Sequence, residues 1–287
     1  MSAIKRLQDN CSYRCKEGNT ISAPRILHYP GSKWSMAEWI MNYFVPHVTY
    51  LEVCFGSGAV LFSKERSPLE TVNDIDGELV NLFKVIRDRP DELAHAIRWT
   101  PHAREEYYAS YEPATDDLER ARRLVVRLWQ GRGGKTSHRT GWRSMIDRNG
   151  PLPGKEWVRF PEKIAEVAER LIGVQIECQP AAKLIDRYKR PDVLIYADPP
   201  YILSTRTTSS YKHEMSNEDH EELLELLDDH PGPVLLSGYA HPLYDERLKH
   251  WGREMKMSKA ENGATRTEVL WINPIAAEHA GRQMTLF

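Results

Sequence analysis

A short apolar stretch with a glycine turn directly behind it sets the frame for this chain. Tyr50, Leu51 and Val53 suit a buried strand, "FGSG" (Phe55 to Gly58) makes a sharp turn, and Ala59 to Lys64 can start a helix. A second short strand, "LETVNDID", ends in acids and leads into "GELVNLFKVIRDRPDEL". There Leu79, Leu82, Phe83 and Ile86 recur at helical spacing. Strand, helix, strand, helix predicts an α/β fold: a parallel sheet with crossover helices. In such a sheet, ligands sit beyond the carboxyl ends of the strands.

The rhythm breaks after about residue 90. Residues 91–160 read as mostly helical or irregular, and rich in Arg, Trp and Tyr. "WQGRGGKTSHRTGWRSMIDRNGPLPG" is interrupted repeatedly by glycine and proline. The α/β pattern then resumes with the helix "FPEKIAEVAERLIG", the strand "VQIEC", the helix "AAKLIDRY" and the strand "VLIYADPPY". "SNEDHEELLELLDDH" is a helix opened by a polar cap with acids in its first turn. "PVLLSGY" and "RTEVLWINP" complete the sheet, the latter as part of a terminal antiparallel pair. The expected organisation is a peripheral tail (1–23), a sheet domain in two pieces (24–90 and 161–287) and an inserted segment (91–160). A chain of 287 residues is long enough for such a domain with its insertion.

Global properties narrow the class. A net charge of −2 does not advertise a nucleic-acid partner, so any such partner must be met by local charge. No apolar run approaches the ~20 residues of a membrane span, and the first twenty residues lack the apolar core of a signal peptide. A cytoplasmic protein is expected, with Cys11, Cys15, Cys54 and Cys178 as free thiols. Cys11 and Cys15 have the spacing of half a zinc site, but no second ligand pair follows nearby, and His213 and His220 are irregularly spaced. No metal is expected.

Two motifs carry chemistry. Gly56 and Gly58 let the backbone pass close to a ligand at a strand end. A dinucleotide fingerprint would place a third glycine where this chain has Leu61, so a cofactor without phosphates fits better. Asp74, at the end of the second strand, suits the two hydroxyls of a ribose, and Asp76 a helix N-terminus. The second motif is Asp198-Pro199-Pro200-Tyr201, a carboxylate, a stiff pair of prolines and an aromatic ring at the end of another strand. It reads either as the blunt end of that strand or as groups aimed at a ligand.

With "HYPGSKW", "EVCFGSG", "VNDID" and "ADPPY" in this order, the chain resembles the N6-adenine-specific DNA methyltransferases of the Dam-like (D12) class, including the phage and prophage versions. The resemblance covers roughly residues 24–90 and 165–275. It implies a Rossmann-like class I methyltransferase fold using S-adenosylmethionine, with the insertion as target-recognition region. Tyr29 and Lys33 would approach the methionine end of the cofactor. Glu52, Phe55, Gly56 and Gly58 would line its pocket, and Asp74 would hold the ribose. Where better-known members have an acid near the cofactor's adenine, this chain has Gln179-Pro180, which leaves that contact to backbone groups. The implied partner is double-stranded DNA, met by a monomer or weak dimer; a restriction enzyme partner is left open.

The target amine is conjugated with its ring and poorly nucleophilic. Asp198 and the Pro199 carbonyl, accepting its two hydrogens, would shift it toward sp³, and Asp198 is the first acceptor of the departing proton. Tyr201 gives a flat face for a flipped base. Between Arg120 and Arg148 stand nine lysines or arginines, interleaved with Trp129, His138 and Trp142. Arg132, Lys135, Arg139, Trp142 and Arg143, in the glycine-rich part, are the expected DNA contacts. Arg120, Arg123 and Arg127 read equally as a solvated helix face. "STRTTSSYKHEM" reads as a loop over the base or an ordinary surface loop. Rival readings are the same chemistry on cytosine N4, RNA adenine or a glutamine amide, a nucleotide-dependent oxidoreductase, and a DNA-binding protein with a dead catalytic domain. Asp198 favours adenine, Leu61 disfavours the oxidoreductase, and the intact motifs disfavour the dead domain.

Overall fold

The computed structural model describes residues 24–145, 153–206, 209–259 and 265–278. The expected tail, with Cys11 and Cys15, lies outside the described residues, as do Arg148, Thr207 and Thr208. The strands are β1 (Thr49–Glu52), β2 (Leu69–Asn73), β3 (Gln175–Glu177), β4 (Val193–Ala197), β5 (Val234–Gly238), β6 (Gly252–Lys259) and β7 (Thr265–Ile272). They form one sheet in the order β3-β2-β1-β4-β5-β7-β6. The first five run parallel, and β7 enters antiparallel between β5 and β6. This is the expected Rossmann-like methyltransferase architecture, with its terminal antiparallel pair. The chain leaves β1 toward β2 on one side and returns at β4 on the other. The crevice between β1 and β4 is therefore the switch point where such sheets hold ligands.

Side chains along the central strands alternate between two cores, as the period of two requires. Tyr50, Leu194, Tyr196, Leu235 and Leu270 face one; Leu51, Ile195, Leu236, Val269 and Trp271 face the other. The first core is covered by α1 (Ala37–Met41), α2 (Ala59–Ser63), α3 (Gly77–Asp88) and the helices that follow α3. These are α4 (Pro90–Arg98), α6 (Asp117–Gln130) and α7 (Pro153–Leu171); α5 (Arg104–Ala109) packs on α6 outside that cluster. On the other face lie α8 (Ala181–Arg187), α9 (Asn217–Asp228) and α10 (Pro242–Arg247). Caps expected from sequence are present. Asp76 accepts from Glu78 N at the start of α3, and Ser216 and Asp219 form a capping box on α9.

The inserted segment shares the sheet domain's core. Leu93, Ile97, Leu124, Val125, Leu128, Trp129, Trp157 and Phe160 are buried in the same cluster as Phe83 and Ile86 of α3. Each such side chain contributes roughly 1.5–3 kcal/mol, so the segment is anchored rather than hung on linkers. Helix α7 begins at Pro153, ahead of the Phe160 where the sequence rhythm resumes. Trp129, grouped above with residues that could insert between bases, is instead a core residue. It is 4% exposed, and its indole N–H donates to Ile26 O at 3.0 Å. Arg120, Arg122 and Arg123 pair with Glu78, Asp117, Glu106 and Glu119, so much of the α6 charge is internally balanced.

The glycine-rich stretch closes into a hairpin. Gly131 bridges Trp142, Arg132 N donates to Gly141 O, and Arg143 N donates to Gln130 O. Gly134, at φ +54°, passes so close to the backbone of His28 that a Cβ would fall 2.4 Å from its carbonyl oxygen. On its other side the hairpin is docked to the segment after Tyr201. Thr136 N and Ser137 N donate to Ser210 O, and Lys212 N donates to Thr136 Oγ1.

Candidate active site

Glycine 56 and Asp74 meet as the sequence suggests. Gly56 sits at φ +51°, and its N–H donates to Asp74 Oδ2 at 2.9 Å. Asp74 Oδ1 accepts from Asp76 N at 2.9 Å, which ties the glycine turn to the start of α3. A carboxylate offers about four lone-pair directions, so two remain for a ligand. Gly58 has a different task. At φ +71° it caps α2, and a Cβ there would meet Phe62 at 2.4 Å and Phe55 at 2.6 Å. It is a packing glycine and not part of the cavity lining, which includes Tyr29, Lys33, Glu52, Phe55, Gly56 and Asp74.

Asp198 emerges from β4 with both carboxylate oxygens engaged. Ser237, at the end of the neighbouring β5, donates to Oδ1 at 2.7 Å, and Lys33 Nζ lies 3.0 Å from Oδ2. Lys33 also donates to Gly31 O at 2.6 Å and sits 4.8 Å from the centre of the Tyr201 ring. Burial opposes its charge, but Asp198 and Glu268 outweigh that and raise its pKa. The lysine expected at the methionine end of a cofactor is thus already committed to the D-P-P-Y carboxylate. Asp198 and Pro200 line the cavity. Tyr201 is only 9% exposed, edge-on to Tyr239 at 4.6 Å, with its hydroxyl donating to Glu268 Oε2 at 2.6 Å.

The segment after Tyr201 is tied down by contacts that no local pattern announces. Arg206 Nε donates to Tyr201 O at 2.8 Å, and its guanidinium pairs with Glu214. Glu214 in turn accepts from Ser210 N and Tyr211 N. Tyr211 reaches across to donate to Pro30 O at 3.0 Å, and with Lys212 and His213 it lines the cavity. Ser237, Glu268, Arg206 and Glu214 were all missed. Only Ser237 carried a signal, as the polar end of a strand that the fold places beside β4. Near Gln179 the backbone is not idle either: Asn73 Nδ2 donates to Gln179 O, and Gln179 N donates to Asn73 Oδ1.

The proposed DNA-contacting residues gather on the hairpin. Arg132 and Arg139 are exposed, the latter over the Tyr108 ring. Trp142 lies between His102 and Arg104, Arg143 is 3.7 Å from Glu156, and Lys135 is half-buried. His220 is a core residue bonded to the Tyr244 hydroxyl. Among the described residues no group of three or more His, Cys, Asp or Glu could hold a metal, Cys54 and Cys178 are free thiols, and no helix is long and apolar enough to cross a membrane.

The cavity these residues enclose measures about 350 Å³, and it opens at the carboxyl ends of β1 and β4. Residues 29–262 match the D12 class N6 adenine-specific DNA methyltransferase family. The chain belongs to that family. This methyltransferase is 27% identical over 279 residues to the Type II methyltransferase M1.LlaDCHI of Lactococcus lactis subsp. cremoris, covering 86% of this chain and 93% of that one. It is 26% identical over 258 residues to the DNA adenine methylase of Escherichia coli K12, covering 85% and 92%. Among solved structures it is similar to a SAM dependent methyltransferase from Agrobacterium tumefaciens, at 10% identity and a TM-score of 0.38, over 84% of this chain and 60% of that one. So loose a likeness adds nothing to the fold, which rests on strand order.

The methyl donor of this DNA adenine methyltransferase is S-adenosylmethionine. The lining suits it. Asp74, Asp76, Asp198, Glu214, Asp219 and Glu222 outnumber Lys33 and Lys212 in the lining, which disfavours a pyrophosphate. A cofactor with a sulfonium, an ammonium and no phosphate is the better complement. Burial pushes Glu52 up to about 8, against the hydrogen bond from the Tyr50 hydroxyl, and pushes Asp74 up to about 6.

Proposed function

We propose that this enzyme methylates the N6 amine of an adenine flipped out of double-stranded DNA within a specific short sequence. The observation that carries the reading is the carboxylate of Asp198, fixed on both oxygens by Ser237 and Lys33 in the lining of an acid-rich cavity. Bound S-adenosylmethionine supplies a methyl group already on a good leaving group. The protein's part is alignment and charge stabilisation. Asp198 and the Pro199 carbonyl accept the two amine hydrogens, and the amine's lone pair becomes available along the line of transfer. Pro199 and Pro200 hold that carbonyl in one direction. Asp198 takes the proton that the methylated amine sheds. Tyr201 supplies the stacking face, which offsets part of the few kcal/mol that unpairing a base costs.

In this reading Tyr29, Lys33, Glu52, Phe55, Gly56 and Asp74 form the cofactor's surroundings, with the free lone pairs of Asp74 on the ribose hydroxyls. Gly58 supports them from behind. Arg132, Lys135, Arg139, Trp142 and Arg143 meet DNA, the arginines on phosphates or guanine edges. Unmethylated genomic DNA, duplex or heat-denatured, is the test substrate with labelled cofactor. The expected product is labelled N6-methyladenine from the duplex, confined to one sequence context. Label in N4-methylcytosine, or equal labelling of denatured strands, would overturn the reading.

The raised carboxyls give a second expectation. Between the ordinary value of 4.5 and about 8, folded Glu52 holds a proton that the unfolded chain has lost, so its contribution to stability falls as pH rises through that window. A cation bound beside it reverses the preference. Cofactor binding should therefore release protons, and affinity should strengthen as pH rises from about 6 to 7.5, by at most about tenfold per unit. Calorimetry in two buffers of different ionisation enthalpy reads the release directly. An affinity flat in pH, with no proton released, would remove Glu52 from the cofactor's surroundings.

A further inference from the structure

Glu268 has no part in the chemistry described so far, yet it is only 8% exposed at the start of the buried half of β7. A carboxylate is kept in such a place only with good partners. Its partner is the Tyr201 hydroxyl, 2.6 Å from Oε2. The contact spans the sheet, because β5 separates β7 from β4. Glu268 stands next to Val269, which pairs with Gly238, and so lies level with Tyr239, whose ring meets the Tyr201 ring edge-on. Lys33 sits over the Tyr201 ring and bonds Asp198. The ring is thus held by a carboxylate at its hydroxyl, an aromatic edge at its side and an ammonium over it.

We propose that Glu268 is a positioning residue for methyl transfer. Through the Tyr201 hydroxyl it fixes the ring at the place where a stacked purine presents its exocyclic amine to Asp198. The inference rests on the reading of Tyr201 as the stacking face. Without the hydroxyl anchor the ring keeps only the Tyr239 edge and the Lys33 ammonium, and a displacement of its hydroxyl end moves whatever lies against it. Charge-assisted hydrogen bonds to a carboxylate are short and directional, which makes Glu268 a stiffer anchor than water. Reacting groups displaced by about 1 Å from a remote change can lose about a hundredfold in rate.

The test compares Tyr201→Phe, Glu268→Ala, Glu268→Gln and the Tyr201→Phe/Glu268→Ala double variant, with Tyr201→Ala as reference. The readouts are the single-turnover methylation rate, KM for S-adenosylmethionine and the fluorescence of 2-aminopurine placed at the target. Tyr201→Phe and Glu268→Ala should each slow the step by about tenfold to a hundredfold, with KM for the cofactor unchanged. The double variant should be no slower than the worse single one, because both cut the same link. Glu268→Gln, whose amide oxygen still accepts, should stay within about threefold of the parent. In Glu268→Ala the flipped 2-aminopurine should be brighter, because a displaced ring quenches it less. Additive losses, or unchanged fluorescence together with a parental rate, would overturn the proposal. If Glu268→Ala fails to fold, Tyr201→Phe and Glu268→Gln still separate the outcomes: a Tyr201→Phe variant at the parental rate overturns it. A Tyr201→Ala variant at the parental rate would instead remove the stacking reading itself.

Discussion

Asp198→Asn is expected to lower methyl transfer by about 10³-fold while S-adenosylmethionine binding changes little. The substitution keeps the shape and removes the charge. An amide oxygen can still accept from Ser237, but it cannot take the amine's proton. Lys33, which is 5% exposed, is then left beside a neutral group, and its ammonium loses the ion pair measured at 3.0 Å. Single-turnover labelling of duplex DNA gives the rate, and calorimetry with the cofactor gives the binding. A variant that retained a tenth of the parental rate would show that Asp198 is not the proton acceptor.

Much of the scaffold could be read directly. The strand ends carrying Asp74 and Asp198 are marked by apolar runs stopping at acids, and both acids border the same cavity. The third glycine that is missing at Leu61 pointed away from a pyrophosphate, and the acidic lining agrees. Helical spacing also contained the correction to Trp129. Ala121, Leu124, Val125, Leu128 and Trp129 form one buried face, and Arg120, Arg123 and Arg127 lie on the opposite side of the helix. What was not legible is whatever depends on strand order. Ser237 meets Asp198 only because β5 lies beside β4, and Glu268 meets Tyr201 only because β7 inserts antiparallel beyond it. The family resemblance implies Lys33 at the methionine end of the cofactor, where a carboxylate suits it. Its commitment to Asp198 follows from how the loop carrying Gly31 folds across the ends of β1 and β4, which no local pattern encodes.

Gly58→Ala should destabilise the fold by about 3 kcal/mol, combining about 1–2 for a left-handed backbone and about 1–3 for overpacking. The added methyl would stand 2.4 Å from Phe62 and 2.6 Å from Phe55, and both rings pack on Phe83 in the first core. Urea unfolding of the protein alone reads this loss. The matching substitution at Gly56 brings a Cβ to 3.3 Å from the Tyr29 ring, a contact that a small shift relieves. The left-handed backbone at φ +51° still costs about 1–2 kcal/mol, so this variant should lose less stability than Gly58→Ala and lose cofactor binding besides. A Gly58 variant destabilised by less than about 1 kcal/mol would mean that the aromatic cluster gives way.

On the proposed reading of the hairpin as the DNA-contacting segment, its docking onto residues 209–212 constrains how such an enzyme can be re-targeted. Thr136 and Ser137 share one carbonyl, Ser210 O, while the Thr136 hydroxyl receives Lys212 N. The same short segment is tied through Glu214 and Arg206 to the carbonyl of Tyr201. A hairpin transplanted from a relative would have to arrive with its own version of 206–214, with a hydroxyl at position 136 and a glycine where Gly134 slides past His28. The interchangeable unit is therefore two stretches of chain about seventy residues apart, and swapping either by itself would leave backbone donors without acceptors.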